Sequence, residues 1–309
     1  MQKRNFLERA LEGENQWWKY LLVFFMASFG GTYFGQISYH IARLLHQISI
    51  TGTVSENLKF TEAAKNLSFG LMMLGPVTSL VFTVIFVKII HDRNFSETVN
   101  GTKSVRWNRA FFAFAVGFVL MAIYWGIDYF RHSDNYVLQL VWSKFTVFFF
   151  LCIVLIPLMA ASEELLFRGY LTQGIGAGTH SRRWALIIPT IIYGLMHFRS
   201  QEVREFGISL SIGQYLFFGF LFGLIAILDD GIELSTGLYS AIEIFPMLFI
   251  TYSSSLVPTE SVFDMQKFDP FQDVISTIIV GLIAFFIFCK KYHWNFKIMN
   301  KRVETTNTN

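Results

Sequence analysis

Three stretches of this 309-residue chain set ionisable side chains inside otherwise apolar sequence. "ASEELLFRGYL" carries Glu163, Glu164 and Arg168, "YGLMH" ends on His197, and "DDGIELSTGLYSAIEIF" carries Tyr239 and Glu243 four residues apart. A carboxylate at the centre of a bilayer costs roughly 2.5–3.5 kcal/mol on insertion scales, so an acid in such a setting points to function. On a helix, Glu164 and Arg168 are four apart with the acid first, the order that favours an ion pair. Glu163 lies ~100° further round the axis and is left free to act as a base. The bland alternative is a plain buried Glu-Arg brace. A carboxylate held out of water beside an imidazole can take a proton from a water molecule, which is the requirement for hydrolysis. His197 then orients that water or binds a metal, while a hydrogen-bond donor stabilises the oxyanion.

The elements that must position these groups can be read from depth. If the chain reverses near His180, within "GIGAGTHSRR", residues 163 and 197 are about equidistant from the turn. With the membrane edge near Thr172, Glu163 sits nine residues in, or ~14 Å at 1.5 Å per residue. "DDGIE" forms a turn on the same side, and Glu243 follows it by ~10 residues, or ~15 Å of helix. Two carboxylates, an imidazole and a phenol are thus expected at one depth on neighbouring spans. The chain has no HExxH, no GxSxG and no GxGxxG in a βαβ setting, so zincin, serine and nucleotide chemistry have no local support.

Composition puts those elements in a membrane. Apolar residues make up 53% of the chain, aromatic residues 17% and charged residues only 15%, too greasy for an ordinary soluble domain. A ~20-residue window gives eight candidate spans, at about 19–42, 68–90, 108–130, 142–172, 184–198, 210–228, 235–253 and 272–289. The expected fold is an all-α, polytopic bundle of about eight transmembrane helices. Its parts are an N-terminal tail (1–18), N-terminal spans (19–140), a catalytic core (141–253), a loop and last span (254–289), and a basic C-terminal tail (290–309). Alternate connections hold sixteen Lys and Arg on the side of both termini and eight on the other, which favours cytoplasmic termini. The net charge is +3 with no basic run interleaved with aromatics, so nucleic acid is not expected as a partner. Cys152 and Cys289 lack metal-type spacing and read as inert thiols, and His40 and His46 as interfacial histidines. Gly31 with Gly35, and Gly219 with Gly223, have the small-xxx-small spacing of close helix contact.

"EELLFR", Glu163 to Arg168, resembles the EExxxR signature of the CPBP family, the CAAX proteases and bacteriocin-processing enzymes. "YGLMH" resembles its second motif, an aromatic residue four before a histidine. The resemblance covers about Val141 to Tyr252. It implies an intramembrane endopeptidase of eight or so helices in a bacterial plasma membrane, acting on a membrane-associated protein or peptide. It also implies that Glu163 is the water-activating base, that Glu164 and Arg168 support it, and that His197 is catalytic or metal-coordinating. The third motif departs: the family's histidine and asparagine positions hold Tyr239 and Glu243 here. Tyr239 can donate to an oxyanion and Glu243 can act as an anionic ligand or base. Zinc would draw on His197 and Glu243 with Glu163 as a third ligand, a histidine-plus-two-carboxylate set less typical of zinc. The altered motif equally suits a degenerate member serving as a binding or bacteriocin-immunity factor. A proton relay or transporter built on the buried acids is a third reading.

Overall fold

Helices carry nearly all the regular structure because the apolar runs are long, and a backbone in hydrocarbon must satisfy its own hydrogen bonds. The computed structural model describes residues 5–12, 14–31, 33–35, 37, 40, 65–102, 104–252 and 259–304; His46 lies outside them. The bundle is built from α1 (Trp17–Phe25), α2 (Lys65–His91), α3 (Trp107–Arg131) and α4 (Trp142–Glu163). There follow α5 (Thr172–Thr179), α6 (Arg182–Met196), α7 (Gln201–Phe206), α8 (Ile208–Asp229), α9 (Glu233–Phe249) and α10 (Pro270–Tyr292).

Among the described residues, five helical stretches are long and apolar enough to cross a membrane: Lys65–His91, Trp107–Arg131, Trp142–Thr179, Ile208–Asp229 and Pro270–Tyr292. The expected count of about eight also needs 19–42, 184–198 and 235–253. The first of these is only partly described. The other two correspond to α6 and α9, helices of 15 and 17 residues. At 1.5 Å per residue each is under ~26 Å long, short of the ~30 Å hydrocarbon core. Outward-facing apolar side chains such as Ile89, Phe111, Phe150 and Phe286 are exposed, the surface that lipid covers.

The all-α expectation needs one correction. Strands β1 (Tyr136–Leu138), β2 (Ile250–Tyr252) and β3 (Phe263–Met265) form a small sheet in the order β1-β3-β2. β1 runs antiparallel to β3, and β2 parallel to it. Each strand is three residues long, too short for a period-two pattern to register in sequence.

The sheet marks one end of the bundle and the two termini mark the other. At the terminal end the amide of Phe6 donates to Asp230 Oδ1 at 2.5 Å, and that of Val303 to the His180 carbonyl at 3.1 Å. The "DDGIE" turn is clamped there. Arg106 pairs with Glu233 at 2.5 Å and with Asp229 at 3.2 Å, and Arg109 also pairs with Asp229.

Three packings then fix the site: α9 along α3, α4 along α2, and α6 along α8. The last depends on small residues. A Cβ on Gly219 would lie 3.3 Å from the Thr190 backbone, and one on Gly223 only 2.8 Å from Leu186 Cδ1. Gly31 likewise lies against Ser79 of α2, where a Cβ would come within 2.6 Å of the Ser79 Cα.

Candidate active site

Where α4 ends at Glu163 the backbone widens into a π-helix over Glu164–Leu171, and α5 continues it. Such turns are rare and often sit at functional sites. The widened turn still joins Glu164 to Arg168 at 2.8 Å, with side chains 0% and 2% exposed. The guanidinium also lies over aromatic rings, 4.1 Å from the Tyr193 centroid and 5.5 Å from that of Phe222. Its Nη2 reaches the Phe218 carbonyl at 3.4 Å. Arg168 thereby ties the π-helix to α6 and α8 from inside the protein. Removing one partner of such a buried pair strands the other charge, at a cost of about 3–5 kcal/mol.

Glu163 faces the other way. Its Oε2 accepts the O–H of Tyr193 at 2.8 Å and that of Tyr239 at 3.0 Å. Its Oε1 is 3.9 Å from His197 Nε2, beyond direct hydrogen bonding and in the range that one shared water spans. Unlike the Glu164 carboxylate, these side chains are accessible, with Glu163 23% and His197 20% exposed.

His197 follows the last residue of α6, and its Nδ1 is 2.8 Å from the Tyr193 carbonyl oxygen. A carbonyl only accepts, so Nδ1 carries a proton and the neutral ring presents Nε2 as an acceptor. The ring stacks on Tyr215, with centroids 4.1 Å apart and planes at 24°. The Tyr215 O–H donates to Glu202 at 2.8 Å.

Glu163, Glu164, Arg168, His197 and Tyr239 thus come together, although Tyr239 directs its O–H at Glu163 and not into open space. Glu243 stands one turn beyond Tyr239, half-buried. No hydrogen bond or ion pair reaches it among the described residues; it lies within electrostatic range of Glu163, Glu202 and Asp273. Sequence reasoning missed Tyr193 as a donor, and Tyr215 and Glu202 as supports. The four-residue spacing of Tyr193 and His197 on one helix face was the available signal for the first. For Tyr215 it was a polar pair, Gln214 and Tyr215, inside the apolar run of α8.

A structural or catalytic zinc takes at least three protein ligands. Among the described residues no three His, Cys, Asp or Glu side chains are grouped to hold a metal ion. His197 Nδ1 donates to a carbonyl and leaves only Nε2 to bind a metal, and with no group of three ligands around it the arrangement does not fit a zinc centre built on His197 and Glu243. Cys152 and Cys289 are free thiols, the former buried.

Residues 142–245, from α4 into α9, match the family described as Type II CAAX prenyl endopeptidase Rce1-like. Over 285 residues the chain is 30% identical to the uncharacterized protein YyaK of Bacillus subtilis (strain 168), covering 89% of this chain and 92% of that protein. No solved structure matches the chain. The matched segment holds all six residues singled out in the three polar stretches.

Proposed function

From the premise that this chain belongs to the Rce1-like Type II CAAX prenyl endopeptidase (CPBP) family, we propose that it is an intramembrane endopeptidase cleaving a membrane-associated protein or peptide. The observation that carries the reading is the pair of acceptors 3.9 Å apart, Glu163 Oε1 and His197 Nε2. A water that donates one proton to each keeps its lone pairs free to attack. As the water oxygen bonds to the peptide carbonyl carbon, its proton passes to Glu163. When the C–N bond breaks, Glu163 returns that proton to the leaving amine, so the carboxylate is regenerated. Tyr193 and Tyr239 hold the opposite oxygen of the carboxylate. The phenol of Tyr239 is also the donor that can turn to a developing oxyanion. No step runs through a metal.

The reading includes residues 141–253 as the catalytic core, the 19–42 stretch with α6 and α9 as the further crossings that bring five to eight, and a bacterial plasma membrane with both termini in the cytoplasm. The two-to-one bias of basic residues and the joint packing of both terminal segments at one end of the bundle support that orientation. Cleavage of a membrane peptide by purified protein, lost in Glu163→Gln, tests the assignment.

One observation favours a second reading, a catalytically degenerate binding or immunity protein. The O–H of Tyr239 occupies Glu163 where the family's third motif supplies a histidine. On that reading Tyr239→His combined with Glu243→Asn creates cleavage absent from the wild type. On the leading reading the wild type already cleaves.

A further inference from the structure

One stripe of α9 runs from the site to a cavity at the sheet end of the bundle. Tyr239, Glu243 and Pro246 recur at the spacing of a single helix face, and Ile250 follows as the first residue of β2. Tyr239 touches Glu163, while Pro246 and Ile250 line a cavity of about 500 Å³. The cavity is closed by the last turns of α3, the segment after β3 and the first turn of α10. That volume suits a long side chain with its backbone, well beyond a bare ion.

The chemistry of its wall is one-sided. The rim carries both signs, with Arg131, His132 and Lys267 facing Asp134 and Asp269, all exposed. Among the described residues, the charged groups of the inner wall are the carboxylates Asp128 and Asp273. Asp128 is engaged, accepting from Tyr136 and Gln272 and lying 3.0 Å from His132 Nδ1. The Asp273 carboxylate, half-buried in the first turn of α10, has no hydrogen-bond or ionic partner among the described residues. It lies within electrostatic range of Glu243, whose carboxylate has none either. Trp125, Tyr124, Phe245 and Phe268 supply aromatic faces, which attract cations.

We propose that this cavity is a specificity subsite for a peptide substrate, taking the side chain of a lysine or arginine about three residues from the scissile bond. The spacing follows from α9: Tyr239 to Pro246 is seven residues, or ~10 Å of helix, which an extended peptide covers in ~3 residues. The ammonium or guanidinium faces Asp273 with Glu243 behind it. The inference rests on the peptidase reading above. It also gives Glu243 a role, since an acid where the family places a neutral amide extends the negative wall toward Glu163.

Binding tests it without requiring turnover. The full-length protein carrying Glu163→Gln is placed in phosphatidylglycerol nanodiscs, and its affinity is measured for a fluorescent apolar peptide with one lysine or, in its place, norleucine. The expected result is binding of the lysine peptide about tenfold tighter, a preference lost in Asp273→Asn and transferred to a glutamate peptide in Asp273→Lys. Equal affinities in the parent protein, or a lysine preference that survives Asp273→Asn, overturn the subsite. Asp273 could instead serve only the dipole of α10; Asp273→Asn then lowers thermal stability and leaves the preference unchanged, which also counts against the proposal. Displacement of the lysine peptide by added phosphatidylethanolamine assigns the pocket to lipid ammonium and overturns the peptide assignment. If the lysine preference holds while wild type and Glu163→Gln cleave nothing, the subsite stands and the peptidase reading falls.

Discussion

The guanidinium of Arg168 lies 4.1 Å from the centroid of the Tyr193 ring, and the O–H of that tyrosine ends 2.8 Å from Glu163. The Glu164–Arg168 pair therefore acts on Glu163 through an aromatic ring on a different helix. Its contribution to the site is orientation of the Tyr193 donor that holds Glu163, the proposed base.

This relationship separates charge from shape. Arg168→Ala leaves Glu164 buried without a counter-charge and is expected to cost about 3–5 kcal/mol, read as loss of folded protein in a thermal unfolding series. Arg168→Lys keeps a cation near Glu164 but loses the planar stack on Tyr193. It should stay closer to wild type in stability and lose activity out of proportion to that change.

Tyr193→Phe and Tyr239→Phe each remove one O–H donor from Glu163 Oε2. A hydrogen bond to a charged group is worth roughly 1.5–3 kcal/mol. Each variant should thus lower kcat by about ten- to a hundredfold with KM little changed. A rise in cleavage on Tyr239→Phe would show instead that the phenol blocks the base, as the degenerate reading requires.

At the terminal end of the bundle, Arg106 serves two acids whose side chains are almost wholly buried, Asp229 and Glu233. Arg106→Ala is expected to destabilise the fold by about 3–5 kcal/mol, because both carboxylates lose a counter-charge. The same change should leave the KM of the protein that remains folded near wild type, since Arg106 lies at the "DDGIE" clamp and Glu163 is held by residues of α6 and α9. A large KM change at unaltered stability would contradict a purely structural clamp.

Much of this arrangement was legible in the sequence because membrane burial makes ionisable residues conspicuous. Glu163, Glu164, Arg168 and His197 stood out against apolar runs, and helix arithmetic put Glu163, His197 and Glu243 at one depth. The boundaries of the long helices followed from the same contrast, as in α8 at Ile208–Asp229 against an expected 210–228. What stayed hidden depended on tertiary contact. Tyr193 reads only as the aromatic of a motif, and Tyr215 as an ordinary aromatic, until the rings are seen on Arg168 and His197. The widened turn after Glu163 has no sequence signal, since its residues suit an ordinary α-helix equally well. The strands Tyr136–Leu138 and Phe263–Met265 are created by pairing across 127 residues, which local pattern cannot anticipate.

The central claim is that Glu163 activates water. The most direct measurement compares cleavage of a membrane-embedded peptide by purified wild-type protein and by Glu163→Gln, both folded to the same degree in one lipid system. The account predicts cleavage by the wild type and a rate lower by about 10²–10⁴-fold in Glu163→Gln, the range for loss of a general base. Equal rates in the two proteins would contradict it.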